Sequence, residues 1–160
     1  MRFDLRLLAL LLSLAGIAVL LAAFGFQHLG GLDPCVLCVY QRWPWVAAIV
    51  LGALAFGLGG HRGLLALAAL ALAVGAGIAA FHVGVEQHWW AGTSECGGTV
   101  GAATTVEELK RQLLATPVTR CDEIAWSLFG ISMAGYNFLL SAGLAIGVGG
   151  ALVRNRRRMA

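Results

Sequence analysis

Four stretches without a charged residue constrain this chain more than any other feature: residues 7–26, 43–60, 63–85 and 124–153. A helix that crosses a bilayer needs roughly 20 apolar residues. Only helices and closed barrels keep their backbone groups paired once water is gone. Charged residues make up 12% of the 160 residues, against about 25% in soluble domains. The runs predict an all-α polytopic membrane protein: a four-transmembrane-helix bundle forming one domain over residues 1–160. The expected spans are about 7–26, 43–60, 63–85 and 126–153, with outer loops at about 27–42 and 86–125. Little chain remains for a separate water-soluble core. Met1, Arg2 and Arg6 ahead of a leucine-rich run resemble a secretion signal. The apolar stretch exceeds the usual signal core and no clear cleavage site follows, so a retained first span is expected.

Charge sets the expected orientation. With four spans, both termini and the turn at 59–63 share one side. That side carries Arg2, Arg6, Arg62, Arg154, Arg156, Arg157 and Arg158. The other carries only Arg42, Lys110, Arg111 and Arg120 as basic residues. The bias places the termini in the cytoplasm. The arginine-rich tail follows a span, so it reads as an anchor at anionic headgroups rather than a nucleic-acid site.

The four cysteines then fall on one face. Cys35-Val-Leu-Cys38 follows the first span, and Cys96 and Cys121 follow the third. Two crossings separate the pairs, so they share the outer, oxidising compartment where disulfides persist. Cys-x-x-Cys is the spacing of a dithiol that opens and closes as a redox couple. Its ring is too small to gain much loop entropy, which argues against a mere staple. A Cys96–Cys121 bond would close a long loop and stabilise by roughly 3–4 kcal/mol, so that pair reads as staple or as redox couple on spacing alone. Asp33-Pro34-Cys35 looks like a helix start, with Asp33 as N-cap and Cys35 in the first turn, where free N–H groups favour a thiolate. Arg42 lies one turn past Cys38 at the membrane edge. There it either marks a site or snorkels to headgroups.

Other features have ordinary explanations. Thr105-Val-Glu-Glu108 fits a capping box that opens a short amphipathic helix, closed by Pro117, on the outer leaflet. Trp43, Trp45, Trp89, Trp90 and Trp126 suit an interfacial belt. Gly143-x-x-x-Gly147 suits close packing within the bundle. His82, Glu86 and His88 near the end of span three, or the four cysteines, offer metal donors. Neither set has the paired spacing of a structural zinc site, and no metal is expected.

The residues Pro34-Cys-Val-Leu-Cys-Val-Tyr-Gln-Arg42 resemble the first outer loop of the bacterial disulfide bond formation protein B (DsbB) family. The stretch Cys121-Asp-Glu-x-x-Trp126, Phe129-Gly130-Ile-Ser-Met133 and Asn137 is similar to its second half. The resemblance spans nearly the whole chain. It implies a bacterial inner-membrane thiol:quinone oxidoreductase that reoxidises a periplasmic dithiol oxidase of the DsbA kind and passes the electrons to ubiquinone or menaquinone. It implies that Cys96 is the sulfur attacked by the partner and Cys121 its disulfide partner. It implies that Cys35 and Cys38 are the quinone-proximal pair, with Cys38 facing the ring, and that Arg42 contacts a quinone oxygen. His88 resembles a second quinone-side position. Ala134 stands where many members carry proline, and the stretch from Trp89 to Gly98 departs from the enterobacterial type, which bears on the choice of partner. A four-span protein like vitamin K epoxide reductase is an alternative, but there the Cys-x-x-Cys comes late in the chain. A disulfide-stapled or metal-handling membrane protein without redox turnover is another.

Overall fold

A computed structural model describes residues 4–97, 105–107, 110 and 119–157. Helix α1 runs Leu5–His28, α2 Val36–Tyr40, α3 Arg42–Gly57, α4 Arg62–Glu86 and α5 Met133–Arg157. Four units are long and apolar enough to cross a membrane: α1, α2 with α3 as Val36–Gly57, α4, and α5. The protein is therefore a multi-pass membrane protein. Helix α3 packs between α1 and α4, and α4 packs along α5.

The helix ends follow from local chemistry. Asp4 caps α1, its Oδ1 accepting from the Arg6 and Leu7 backbone N–H groups at 2.9 and 3.4 Å. Gly59 and Gly60, at φ 71° and 89°, turn the chain between α3 and α4, a conformation open to glycine at no steric cost. Arg62 donates to the Leu152 carbonyl at 2.8 Å, which ties the start of α4 to the last turns of α5.

Small residues let the helices approach. Ala9, Ala48, Ala55 and Ala68 are fully buried beside Leu12, Trp45, Leu65, Leu72 and Val148. A side chain at Gly75 would start 2.8 Å from the Pro44 ring, and one at Gly16 would start 2.7 Å from Ile49. Gly143 and Gly147 do not share this role. A Cβ on either would meet nothing within 4 Å, so that pair faces away from the bundle. Leu7, Leu11, Leu21, Leu54, Leu70 and Ile146 also face outward, as helices in lipid require.

Three expectations about elements are corrected. Cys35, not Asp33, caps α2: it is extended at φ −71°, ψ 169°, and its sulfur accepts from the Cys38 N–H. The second span starts earlier than residue 43, since the Cys-x-x-Cys turn stacks onto α3 through Gln41. Pro44 falls in the first turn of α3, where its missing N–H is tolerated. The fourth span starts at Met133 rather than 126. The residues before it form a hairpin, β1 (Ser127–Leu128) against β2 (Ile131–Ser132). Phe129 and Gly130 make its turn at φ 50° and 77°, the two positive values that a type I′ turn demands. Val106, Glu107 and Lys110 are helical. The rest of the expected amphipathic helix lies outside the described residues.

Candidate functional site

The site is built at one end of the bundle, where α2, the end of α4, the 3-10 turn Ser94–Gly97 and the segment before β1 meet. Cys35, Leu37, Val85, Cys96 and Cys121 form one buried cluster, with Cys38 packed against it. Cys96 and Cys121 are joined in a disulfide. Cys35 and Cys38 are free thiols with sulfurs 2.8 Å apart. The two pairs, remote in sequence, thus share one core. Tyr40 strengthens the junction by donating from its hydroxyl to Glu95 Oε2 at 2.6 Å, which ties the Cys-x-x-Cys helix to the segment carrying Cys96.

Each pair also borders a different cavity. Cys96 borders an outer one of about 540 Å³, with His88, Thr93, Arg120 and Asp122 around it. Thr93 Oγ1 sits 3.4 Å from Cys96 Sγ. Arg120 and Asp122 pair at 2.6 Å, and the guanidinium holds the Asp122 carboxyl at about 2. Cys38 borders an inner cavity of about 340 Å³ walled by Val19, Leu20, Phe26, Trp126, Met133 and Leu140. Its polar groups are few: Asp33, Cys38, Gln41, Arg42, His82, Tyr136 and Asn137. A mostly apolar cavity of this size with convergent polar groups is the ordinary form of a small-molecule site.

Arg42 is anchored at the mouth. Its Nη1 donates to Gln27 Oε1 at 2.8 Å, and its guanidinium carbon lies 4.8 Å from the Phe24 ring centre. A guanidinium carries five N–H donors, so the Gln27 bond leaves others for a ligand oxygen. His88 stands at the outer cavity, away from Arg42, in the left-handed region at φ 57°. The imidazole at the inner cavity is that of His82.

His82 shows what sequence reading missed. Its Nε2 lies 3.6 Å from Cys35 Sγ and its Nδ1 2.7 Å from Gln41 Nε2. Glu86 Oε1 is 4.0 Å from the same Nε2, and the Ser132 hydroxyl donates to Glu86 Oε2. No local pattern links residues 35, 41, 82, 132 and 137. The one available signal was the i, i+4 spacing of His82 and Glu86 at a span end. The Cys38 hydrogen bond, opposed by burial and aided by His82, lowers Cys35 below the usual thiol range, which favours the thiolate, the form that exchanges with disulfides. Cys35, Cys38 and His82 also bring three donor atoms within 4.8 Å of one another. That set could grip a soft cation while the thiols are reduced, and a Cys35–Cys38 bond would remove two of its three donors.

The family profile described as Disulfide bond formation protein DsbB matches residues 5–150. Disulfide bond formation protein B 2 of Pseudomonas syringae pv. syringae is 34% identical, over 88% of this chain and 84% of its own. Disulfide bond formation protein B of Xanthomonas campestris pv. campestris is 34% identical, over 91% of this chain and 88% of its own. The protein of the same name from Polaromonas is 31% identical, over 88% and 86%. No solved structure matches the chain significantly.

Proposed function

The chain belongs to the DsbB family and is a membrane oxidoreductase that forms disulfide bonds, and from that premise we propose that it carries electrons from a soluble DsbA-like dithiol through Cys96–Cys121, then Cys35–Cys38, to a quinone in the inner cavity. The observation that carries this reading is the placement of the sulfurs: Cys35, Cys96 and Cys121 in one buried cluster with Cys38 packed against it, Cys96 at the outer cavity and Cys38 at the inner one.

Each step uses residues already in place. The partner's thiolate attacks Cys96 and Cys121 leaves with the electron pair of the broken S–S bond. Cys121 then attacks Cys35 of the oxidised inner pair, and Cys38 leaves as a thiolate at the cavity wall. The partner's second thiol resolves its bond to Cys96. The partner ends as a disulfide, and two electrons with two protons are owed to the acceptor. A quinone in the inner cavity would supply that two-electron sink. The cavity would suit it: the wall is apolar, and Arg42, Gln41 and Asn137 would offer N–H donors to ring oxygens. Arg42 would orient the ligand with a charge-assisted donor. His82, rather than His88, is the imidazole on that side. Leu32, Pro34 and Leu128 also line this cavity.

The orientation belongs to the same reading: bacterial inner membrane, termini in the cytoplasm, sulfurs in the periplasm. One experiment tests reaction and side together. Reduced DsbA-like protein added to intact spheroplasts that express this chain should be oxidised, with one quinone reduced per dithiol. Inverted vesicles should not oxidise it. Activity in inverted vesicles alone would reverse the topology, and activity in neither would overturn the proposed reaction.

A further inference from the structure

Trp45 of α3, Gln41 at the α2–α3 junction, His82 of α4 and Asn137 and Ser141 of α5 form a single chain of hydrogen bonds whose direction is set at one end. The Trp45 indole N–H, which can only donate, points to Asn137 Oδ1 at 2.7 Å. The Ser141 hydroxyl reaches the same oxygen at 3.3 Å. Asn137 Oδ1 is therefore the acceptor side of that amide, and its Nδ2 donates to Gln41 Oε1. That bond orients Gln41, whose Nε2 must donate to His82 Nδ1 at 2.7 Å. A ring nitrogen that accepts carries no proton, so neutral His82 keeps its proton on Nε2. Nε2 faces Cys35 Sγ at 3.6 Å. Every amide and ring in the series has one orientation, inherited from an indole that cannot reverse.

We infer that Trp45, Asn137 and Gln41 are positioning residues that fix the Nε2–H tautomer of His82, and that His82 acts as a catalytic hydrogen-bond donor to the Cys35 thiolate. The inference rests on the reading of Cys35 as an exchanging sulfur. Its role arises when Cys35 must leave. If Cys121 and Cys35 share a bond and the Cys96 thiolate attacks Cys121, the Cys96–Cys121 bond forms and Cys35 departs with the electron pair. A leaving sulfur departs faster when its thiolate is stabilised, and a donor already aimed at it needs no reorganisation. His82 gives up no proton in this step. The ionisable groups facing Cys35 are Cys38 from α2 and, from α4, His82 with Glu86 behind it. Cys96 and Cys121 are bonded to each other and do not titrate.

The test needs neither quinone nor partner, so it can fail while the proposed electron route stands, and the reverse. In full-length protein carrying Cys96→Ser and Cys121→Ser, the thiolate absorbance of the reduced inner pair is followed against pH. In His82→Leu the midpoint should rise by about one pH unit or more, the scale of a lost hydrogen bond to a charged group. His82→Gln, which keeps an N–H donor, should restore part of the shift. Trp45→Phe, which keeps the ring and loses only the N–H, should move the midpoint the same way by less. The second readout is nitrogen NMR of the ring in the reduced protein without substitutions at the relay, assigned by difference from His82→Gln. A protonated Nε2 and bare Nδ1 are expected. A protonated Nδ1, or an unchanged midpoint in folded His82→Leu, would overturn the inference.

Discussion

Replacing Cys38 by serine should stop quinone reduction while leaving the first partner encounter intact. Steady-state turnover should fall by at least about a thousandfold, the scale of deleting a reacting nucleophile. The Cys96–Cys121 disulfide remains in that variant, so one equivalent of partner dithiol should still be oxidised in a burst. The reason is position: Cys38 lines the inner cavity, whereas Cys96 borders the outer one. Rapid-mixing measurement of partner oxidation beside quinone absorbance separates the phases. Wild-type turnover in Cys38→Ser would remove this cysteine from the route.

Arg42→Ala should raise the apparent KM for quinone and leave single-turnover exchange with the partner nearly unchanged. Arg42 stands at the mouth of the inner cavity, held by Gln27 and the Phe24 ring, and is not among the residues around the outer one. Loss of a charge-assisted hydrogen bond costs roughly 1.5–3 kcal/mol, about 10- to 150-fold in affinity. Arg42→Lys should recover only part of this, because a point charge does not reproduce the planar fork. A quinone titration with the burst assay checks the split. An unchanged KM would leave Arg42 as an arginine that snorkels to headgroups.

The parts of this fold legible in the sequence are those that lipid dictates. Backbone pairing without water forces long apolar helices, so four runs without charge announced four spans, and two crossings put the cysteine pairs at one end. What escaped depends on turns and on tertiary contact. Span four was placed too early because residues 124–132 carry no charge. The hairpin there depends on Phe129 and Gly130 taking positive φ, which hydropathy does not encode. The cap of α2 is Cys35 rather than Asp33, because a cysteine sulfur can take the cap's place and accept from the Cys38 N–H. Gly143 and Gly147 matched a packing motif, yet the close approaches fall at Gly16 and Gly75, since a motif does not say which face meets a neighbour. The Cys-x-x-Cys and Arg42 could be singled out from local spacing. The series Trp45, Asn137, Gln41, His82 could not, because its members lie up to 96 residues apart and each is unremarkable in its own segment. His88 drew attention by following span three; it borders the outer cavity, and His82 borders the inner one.

The central claim is that the two cysteine pairs exchange electrons directly because they share one buried cluster. The most direct measurement uses the double variant Cys38→Ser, Cys96→Ser, which leaves Cys35 and Cys121 as the only thiols. Mild oxidation in membranes, followed by proteolysis and mass spectrometry, should reveal an intrachain Cys35–Cys121 disulfide formed in high yield. Recovery of both as free thiols, in protein whose helices remain folded, would contradict the account.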